Sequence, residues 1–165
     1  MNARPRMVRS DSMSKDQQSS SKTMNRWPNK GVFTGGCQCG NVRYECGAAP
    51  QELYLCHCVE CRKQSASAFG ISVIVPSDAV QLVQGTLRKW SRTTDSGRTL
   101  DCFFCPECGS RVWHGNKDAD VSISIKGGSL DEPIDVSSAI HIWTARRLPG
   151  IVIPEHASAF SKEPV

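Results

Sequence analysis

The sequence predicts an antiparallel all-β domain on three observations. Short runs rich in Val, Ile, Thr and aromatic residues recur roughly every ten residues after Gly31. Gly, Asp, Ser and Pro separate them, and no stretch sustains a 3.6-residue apolar period. NVRYEC (41–46) opens the series, with Val42, Tyr44 and Cys46 alternating with polar neighbours as a half-buried strand requires. FGISVIV (69–75) is longer and is closed by Pro76. VQLV (80–83) stops at Gly85, LRKW (87–90) follows after one turn, and TLDCFF (99–104) precedes Pro106. RVW (111–113), VSISI (121–125) and AIHIW (139–143) complete the set. VECRKQSASA (59–68) is the single helical candidate in the domain, with room for one or two turns. Strands do not alternate with helices, so a doubly wound α/β fold is disfavoured.

A chain of 165 residues that is 39% hydrophobic can bury a core without disulfides. Nothing in it approaches the ~18 consecutive apolar residues of a membrane span. The formal charge of +4 is unevenly placed. Residues 1–30 hold Arg4, Arg6, Arg9, Lys15, Lys22, Arg26 and Lys30 against Asp11 and Asp16, which leaves a near-neutral remainder. Residues 1–30 therefore read as a disordered basic tail, and residues 31–165 as the folded domain. The tail has almost no aromatic interleaving, so a nucleic-acid partner is not expected. It lacks the apolar segment of a secretory signal, and the expected setting is a reducing one, the cytoplasm.

Seven of the nine cysteines fall into three clusters: Cys37-Gln38-Cys39, Cys56-His57-Cys58-Val59-Glu60-Cys61 and Cys105-Pro106-Glu107-Cys108. Close pairs of this kind suit a tetrahedral metal, because one turn of backbone can aim both thiolates at a single point. Zn²⁺ is the first choice for a thiolate-rich site, and an iron–sulfur centre is its main competitor. The other reading is buried structural cysteine plus a redox C-x-x-C. A closed structural site takes four ligands and a reactive one takes three with an open position. Two doublets and a triplet divide accordingly: Cys37, Cys39, Cys105 and Cys108 as a closed site, Cys56, Cys58 and Cys61 as an open one, with two zinc ions per chain. The closed site joins segments 65 residues apart. Closing that loop costs about 4 kcal/mol, against roughly 10–16 kcal/mol for structural zinc.

Cys46 and Cys102 share strand parity with apolar residues and read as small buried hydrophobes, with completion of the triplet as the alternative. His57 and His141 are candidates for proton transfer. His57 lies between two ligands and is expected to point away from the metal; His141 sits on the AIHIW strand. Phe69 is a candidate pocket wall, and Arg62 and Lys63 are candidates to attract a substrate carboxylate.

GGCQCGNVRYEC, LCHCVECRKQSASAFG, FFCPECGSRVW, GGSLDEP and AIHIW, in this order, resemble the glutathione-dependent formaldehyde-activating enzyme family, which includes the centromere protein V branch. The resemblance covers about residues 31–160. It implies a zinc-containing β-tent, with a structural zinc on Cys37, Cys39, Cys105 and Cys108 and a catalytic zinc on Cys56, Cys58 and Cys61. It also implies a carbon–sulfur lyase that adds glutathione to formaldehyde. Independently of the family, three thiolates on Zn²⁺ leave one position where an entering thiol would lose its proton and become a nucleophile toward an aldehyde carbon. The partners expected are a glutathione-like thiol and a small aldehyde; a non-catalytic zinc-stabilised binding module is the alternative. Two positions depart from the family pattern: Ala66 stands where glycine is common, and Leu148-Pro149-Gly150 stands where a Pro-Pro-Trp-like segment is common.

Overall fold

A computed structural model describes residues 32–164, and the tail expected over residues 1–30 lies outside the described residues. The chain is all-β. Its strands are β1 (Phe33–Gly36), β2 (Arg43–Cys46), β3 (Glu52–Cys56), β4 (Gly70–Pro76), β5 (Val80–Gln84), β6 (Arg88–Thr93), β7 (Thr99–Phe104), β8 (Arg111–His114), β9 (Ser122–Lys126) and β10 (Ile140–Ile142). One helix, α1 (Val59–Ser65), follows β3. A small sheet has the order β1-β2-β5, and a seven-stranded sheet the order β10-β3-β4-β9-β8-β7-β6. VQLV and LRKW are neighbours in sequence, yet β5 and β6 lie in different sheets.

Neighbouring strands run antiparallel, as expected, with one exception among the described residues. β10 runs parallel to β3, with Ile140 opposite Tyr54 and Ile142 opposite Cys56. The long connection over 127–139 carries the chain back to the start of that edge, which a tight hairpin could not do.

Two strands had no signature among the expected runs. β1 reads FTGG, and glycine is a poor strand former. The reason for glycine is spatial: a Cβ on Gly35 would lie 2.3 Å from Tyr44 Oη and 2.4 Å from the Ser129 carbonyl oxygen. β3 reads ELYLC, a short alternation that merges into the Cys-His-Cys motif. The helix is shorter than 59–68 because Ala66 is left-handed (φ 48°, ψ 38°), and its N–H closes the helix onto the Arg62 and Lys63 carbonyls.

The large sheet has two unlike faces, as the two-residue repeat of a strand dictates. Leu53, Leu55, Val73, Val75, Ile123 and Ile125 point to one face and form the core with Val42, Tyr44, Cys46 and Val80. Trp113 meets Tyr44 edge-on there, with ring centroids 6.1 Å apart. Each fully buried side chain of this size contributes about 1.5–3 kcal/mol. Tyr44 Oη lies 2.9 Å from Ser129 Oγ, so its one polar atom is satisfied in the core. Asp131 of the GGSLDEP run accepts from Arg43 and Thr34, which ties the small sheet to the connection after β9. The opposite face of the large sheet carries Tyr54, Cys56, Ser72, Ser124, Lys126, His114 and Cys102, and there the chemistry collects.

Candidate metal centres and active site

The first cluster is assembled by two turns. Cys37 and Cys39 follow β1, and Cys105 to Cys108 follow β7. Gly40 and Gly109 take positive φ (82° and 71°) in these turns, where a side chain would be strained. The Gly109 N–H bonds the Cys105 carbonyl at 3.0 Å, and the Val42 N–H points at Cys37 Sγ at 3.2 Å. All four sulfurs lie within 4.8 Å of one another. Cys37 and Cys39 sulfurs are 3.4 Å apart, and those of Cys39 and Cys105 are 3.8 Å apart. A disulfide needs about 2.05 Å, and every cysteine is free. Tetrahedral zinc with bonds of about 2.3 Å places its sulfurs roughly 3.8 Å apart, so the quartet fits such an ion. The Ser110 hydroxyl, 3.2 Å from Cys108 Sγ and aided by backbone N–H groups, holds that thiol down to about 5.

The second cluster brings Cys56, Cys58 and Cys61 within 4.8 Å, and no fourth His, Cys, Asp or Glu joins them among the described residues. Cys56 ends β3, Cys58 caps α1, and Cys61 lies in its first turn. The Cys61 N–H donates to Cys58 Sγ at 3.3 Å. Hydrogen bonds from Cys56, then from Cys61 and the backbone, hold Cys58 down to about 2, while Cys56 is pushed up as the thiol that shares its proton. Cys61 is also held above its ordinary value, so the three sulfurs share one negative charge, and a bound cation would let all three ionise. Cys46 and Cys102 are fully buried and join neither group. Cys46 Sγ lies 3.6 Å from the Ala48 carbonyl oxygen, and Cys102 Sγ receives Gln64 Nε2 at 3.6 Å.

All three triplet cysteines line a cavity of about 970 Å³, together with Tyr54, His114, Lys126 and Trp143. A second cavity of about 880 Å³ shares Cys61, His114 and Lys126 with it. Lys126 Nζ donates to Ser72 Oγ at 3.2 Å and to Ser124 Oγ at 3.0 Å. Burial lowers the Lys126 ammonium from its ordinary value, and the nearby Cys61, Cys102 and Cys56 sulfurs oppose that shift. His114 is pushed down to about 2 by burial, then by the charges of Lys126, Arg111 and Arg92, so it is a neutral imidazole. Trp143 holds a left-handed backbone (φ 57°), rare for so large a side chain, and the Arg146 guanidinium lies 4.5 Å over its ring.

Several candidates fall elsewhere. His57 and His141 are buried and bonded to each other, and neither lines either cavity. Arg62 and Lys63 line neither cavity, and Lys63 is an exposed partner of Glu60 at 4.0 Å. Lys63 is exposed, whereas Arg62 is half-buried and its Nε is buried without a hydrogen-bond partner. Phe69 does line the smaller cavity, and it packs edge-on against His57 at 5.6 Å. His114, Lys126 and Trp143 were missed. The alternation in VSISIK sets Ser122, Ser124 and Lys126 opposite Ile123 and Ile125, and could have placed Lys126 on a second, functional face.

The chain spans about half the length of a curated relative that it matches. That relative, from Penicillium rubens (strain ATCC 28089 / DSM 1075 / NRRL 1951 / Wisconsin 54-1255), is named "Putative glutathione-dependent formaldehyde-activating enzyme" and is 34% identical over 91 residues, which are 52% of this chain and 47% of the relative. A crystal structure of a Rhodobacter sphaeroides protein aligns with 78% of this chain and 99% of its own, at 18% identity and a TM-score of 0.47. Among the described residues no helix is long and apolar enough to cross a membrane. Residues 32–146 match the family model described as glutathione-dependent formaldehyde-activating enzyme, a span that includes both sulfur clusters. The chain belongs to the glutathione-dependent formaldehyde-activating enzyme family.

Proposed function

We propose that this protein is a carbon–sulfur lyase-type enzyme that joins a glutathione-like thiol to formaldehyde or a related small aldehyde, with zinc at two sites. Cys37, Cys39, Cys105 and Cys108 hold a structural ion, and Cys56, Cys58 and Cys61 hold a catalytic one. The observation that carries this reading is the position of the triplet: three sulfurs, with no fourth ligand among the described residues, line a cavity of about 970 Å³. That volume suits a small-molecule substrate. When bound there, zinc would supply stabilisation of a substrate thiolate at neutral pH.

The chain's own residues do the rest. α1 fixes Cys58 and Cys61 one turn apart, and the Cys61 N–H steadies Cys58 Sγ. Gly70 lets β4 approach the helix: a Cβ there would lie 3.1 Å from Cys61 Cβ. In the net reaction the thiol sulfur forms a bond to the aldehyde carbon, the carbonyl π bond breaks, and its oxygen ends as a hydroxyl carrying the proton released by the thiol. The quartet reaches across the chain from β1 to β7 and has a mechanical role. Thiols of this kind persist in a reducing compartment such as the cytoplasm.

Direct NMR observation of ¹³C-formaldehyde with glutathione, with and without the zinc-loaded protein, tests the reading. Faster equilibration of the S-hydroxymethyl adduct is expected. Unchanged rates across physiological thiol concentrations reject the reaction and favour a zinc-stabilised binding module.

A further inference from the structure

The sheet face that carries the triplet also carries basic side chains with no acidic partner. Cross-strand partners share a face, so Ser72 opposite Lys126, Ser124 opposite His114 and His114 opposite Cys102 form a row across β4, β9, β8 and β7. Arg92 joins through its pairing with Leu100, two residues from Cys102. Arg111 joins through a bulge. In a regular strand, residues three apart point to opposite faces, but the register shift at Phe103/Phe104 sets Arg111 opposite Phe104, on the same side as His114.

This cluster is only partly satisfied: Arg92 Nη1 donates to the Thr93 carbonyl and Arg111 lies over the Phe104 ring, but other donors are left over. His114 is 5% exposed, and its Nε2 has no hydrogen-bond partner; Arg92 Nε and Arg111 Nη1 are also buried without one. Orphaned polar atoms of this kind are rare in folded proteins and call for a partner. The ion pairs among the described residues use Arg43, Lys63, Lys89 and Arg146, and none uses Arg92, Arg111 or Lys126. The acids around the larger cavity are engaged: Asp95 with Arg146, Glu60 with Lys63, Glu163 with Trp143, and Asp120 with the Asn116 N–H. Lys126 spends two of its three donors on serine hydroxyls, which aim the ammonium and leave one donor.

We infer that His114, Lys126, Arg92 and Arg111 form a receiving site for a carboxylate of the substrate, adjoining the sulfur triplet. The inference rests on the proposed function and deepens it. Cys61, His114 and Lys126 line both cavities, so one molecule can engage the sulfur site and the basic cluster together. A carboxylate accepts several N–H donors at once, and charge-assisted bonds of this type are the strong ones. A neutral reactant occupies the sulfur site alone and forgoes them. The site thus selects an acidic thiol or an acidic aldehyde over its neutral counterpart.

The test uses zinc-loaded full-length protein and three probes followed by NMR titration: 3-mercaptopropionate, 2-mercaptoethanol and propionate. The acidic thiol is expected to bind about tenfold more tightly than the neutral one, and propionate is expected to compete with it. In Lys126→Met the ratio between the thiols falls to within about twofold and propionate binding is lost; Arg111→Gln moves the ratio the same way. Equal affinity of the two thiols for the unaltered protein overturns the inference, as does a preference that survives both substitutions. If no thiol binds but propionate does, and Lys126→Met abolishes it, the thiol reading fails and the carboxylate site stands. If propionate also fails to bind, both fail. Glyoxylate compared with acetaldehyde, each with 2-mercaptoethanol, tells the source. A glyoxylate preference that collapses in Lys126→Met assigns the carboxylate to the aldehyde, and its absence alongside the thiol preference assigns it to the thiol.

Discussion

His57 Nε2 lies 3.0 Å from His141 Nδ1, and the two buried rings are tilted by only 14°. The contact crosses the parallel pair of β3 and β10, so it ties the strand that leads into the sulfur triplet to the last strand of the sheet. One imidazole donates and the other accepts, so the accepting ring is neutral, and protonation of both would break the contact. Burial lowers the His57 pKa, as do the neighbouring His141, Arg147 and Arg62 charges, and burial lowers that of His141. Their contribution to stability is therefore present above the ordinary imidazole value of about 6.5 and is lost as pH falls below it, because the unfolded chain takes up protons first. Urea unfolding at pH 7.5 and 5.5 should show His141→Gln less stable at the higher pH and less weakened by acid. Equal acid sensitivity in both proteins would sink the assignment.

His114 obeys the same sign with a wider reach, since it is held down to about 2. Each pH unit below about 6.5 should cost the unaltered protein about 1.4 kcal/mol through this group. The difference in unfolding free energy between it and His114→Gln, followed from pH 6.5 to 5, isolates the effect from acid loss of the thiolates. A pH-independent difference contradicts it.

The two sulfur clusters should respond differently to serine. Two zinc equivalents per chain are expected by elemental analysis. Cys105→Ser should lose the ion that joins β1 to β7 and destabilise the domain by several kcal/mol. Cys56→Ser should keep the fold, bind one equivalent and show no adduct formation. Matching collapse of both variants, or one ion in the unaltered protein, would remove the division of labour.

Ala66 is a site where stability can be raised. Its left-handed backbone (φ 48°) ends α1 two residues after Gln64, which covers Cys102. The conformation costs an alanine about 1 kcal/mol that glycine escapes. Ala66→Gly is expected to raise the urea midpoint by about 0.5–1 kcal/mol of stability without altering zinc content. A lower midpoint would show that the turn is not strained.

Gly35 should resist substitution for a reason of space. Its missing side chain faces the Tyr44 ring end and the Ser129 carbonyl at contact distances no Cβ tolerates. Gly35→Ala should cost at least 1–3 kcal/mol, an order-of-magnitude figure for overpacking. Removing the phenol oxygen in Gly35→Ala/Tyr44→Phe should not rescue it, because the Ser129 oxygen belongs to the backbone. Full rescue, read from thermal unfolding, would assign the clash to the hydroxyl alone.

The residues of the sulfur clusters were legible because their spacing is local, even though the two halves of the quartet are distant. The strands from β4 to β9 were legible through alternation and punctuation. β1 was not, because its glycines answer to Tyr44 and Ser129, contacts that exist only after folding. β10 was legible as a strand in AIHIW, but its parallel direction was not, because direction is set by where a connection delivers the chain. The basic cluster was hidden for a similar reason. Arg92, Arg111, His114 and Lys126 come from three strands and a bulge, and only strand register sets them on one face. Arg62 and Lys63, by contrast, stood beside the triplet in sequence and line neither cavity.

The two unlike faces of β9 bear on how such a protein can change over time. Ile123 and Ile125 hold the interior, while Ser124 and Lys126, one step along the same strand, meet whatever enters the cavity. Substitutions at the second set are expected to alter ligand preference while sparing the apolar contacts of the core. A lineage built on this sheet is thereby expected to exchange one small reactant for another while its cysteine clusters and core descend unchanged.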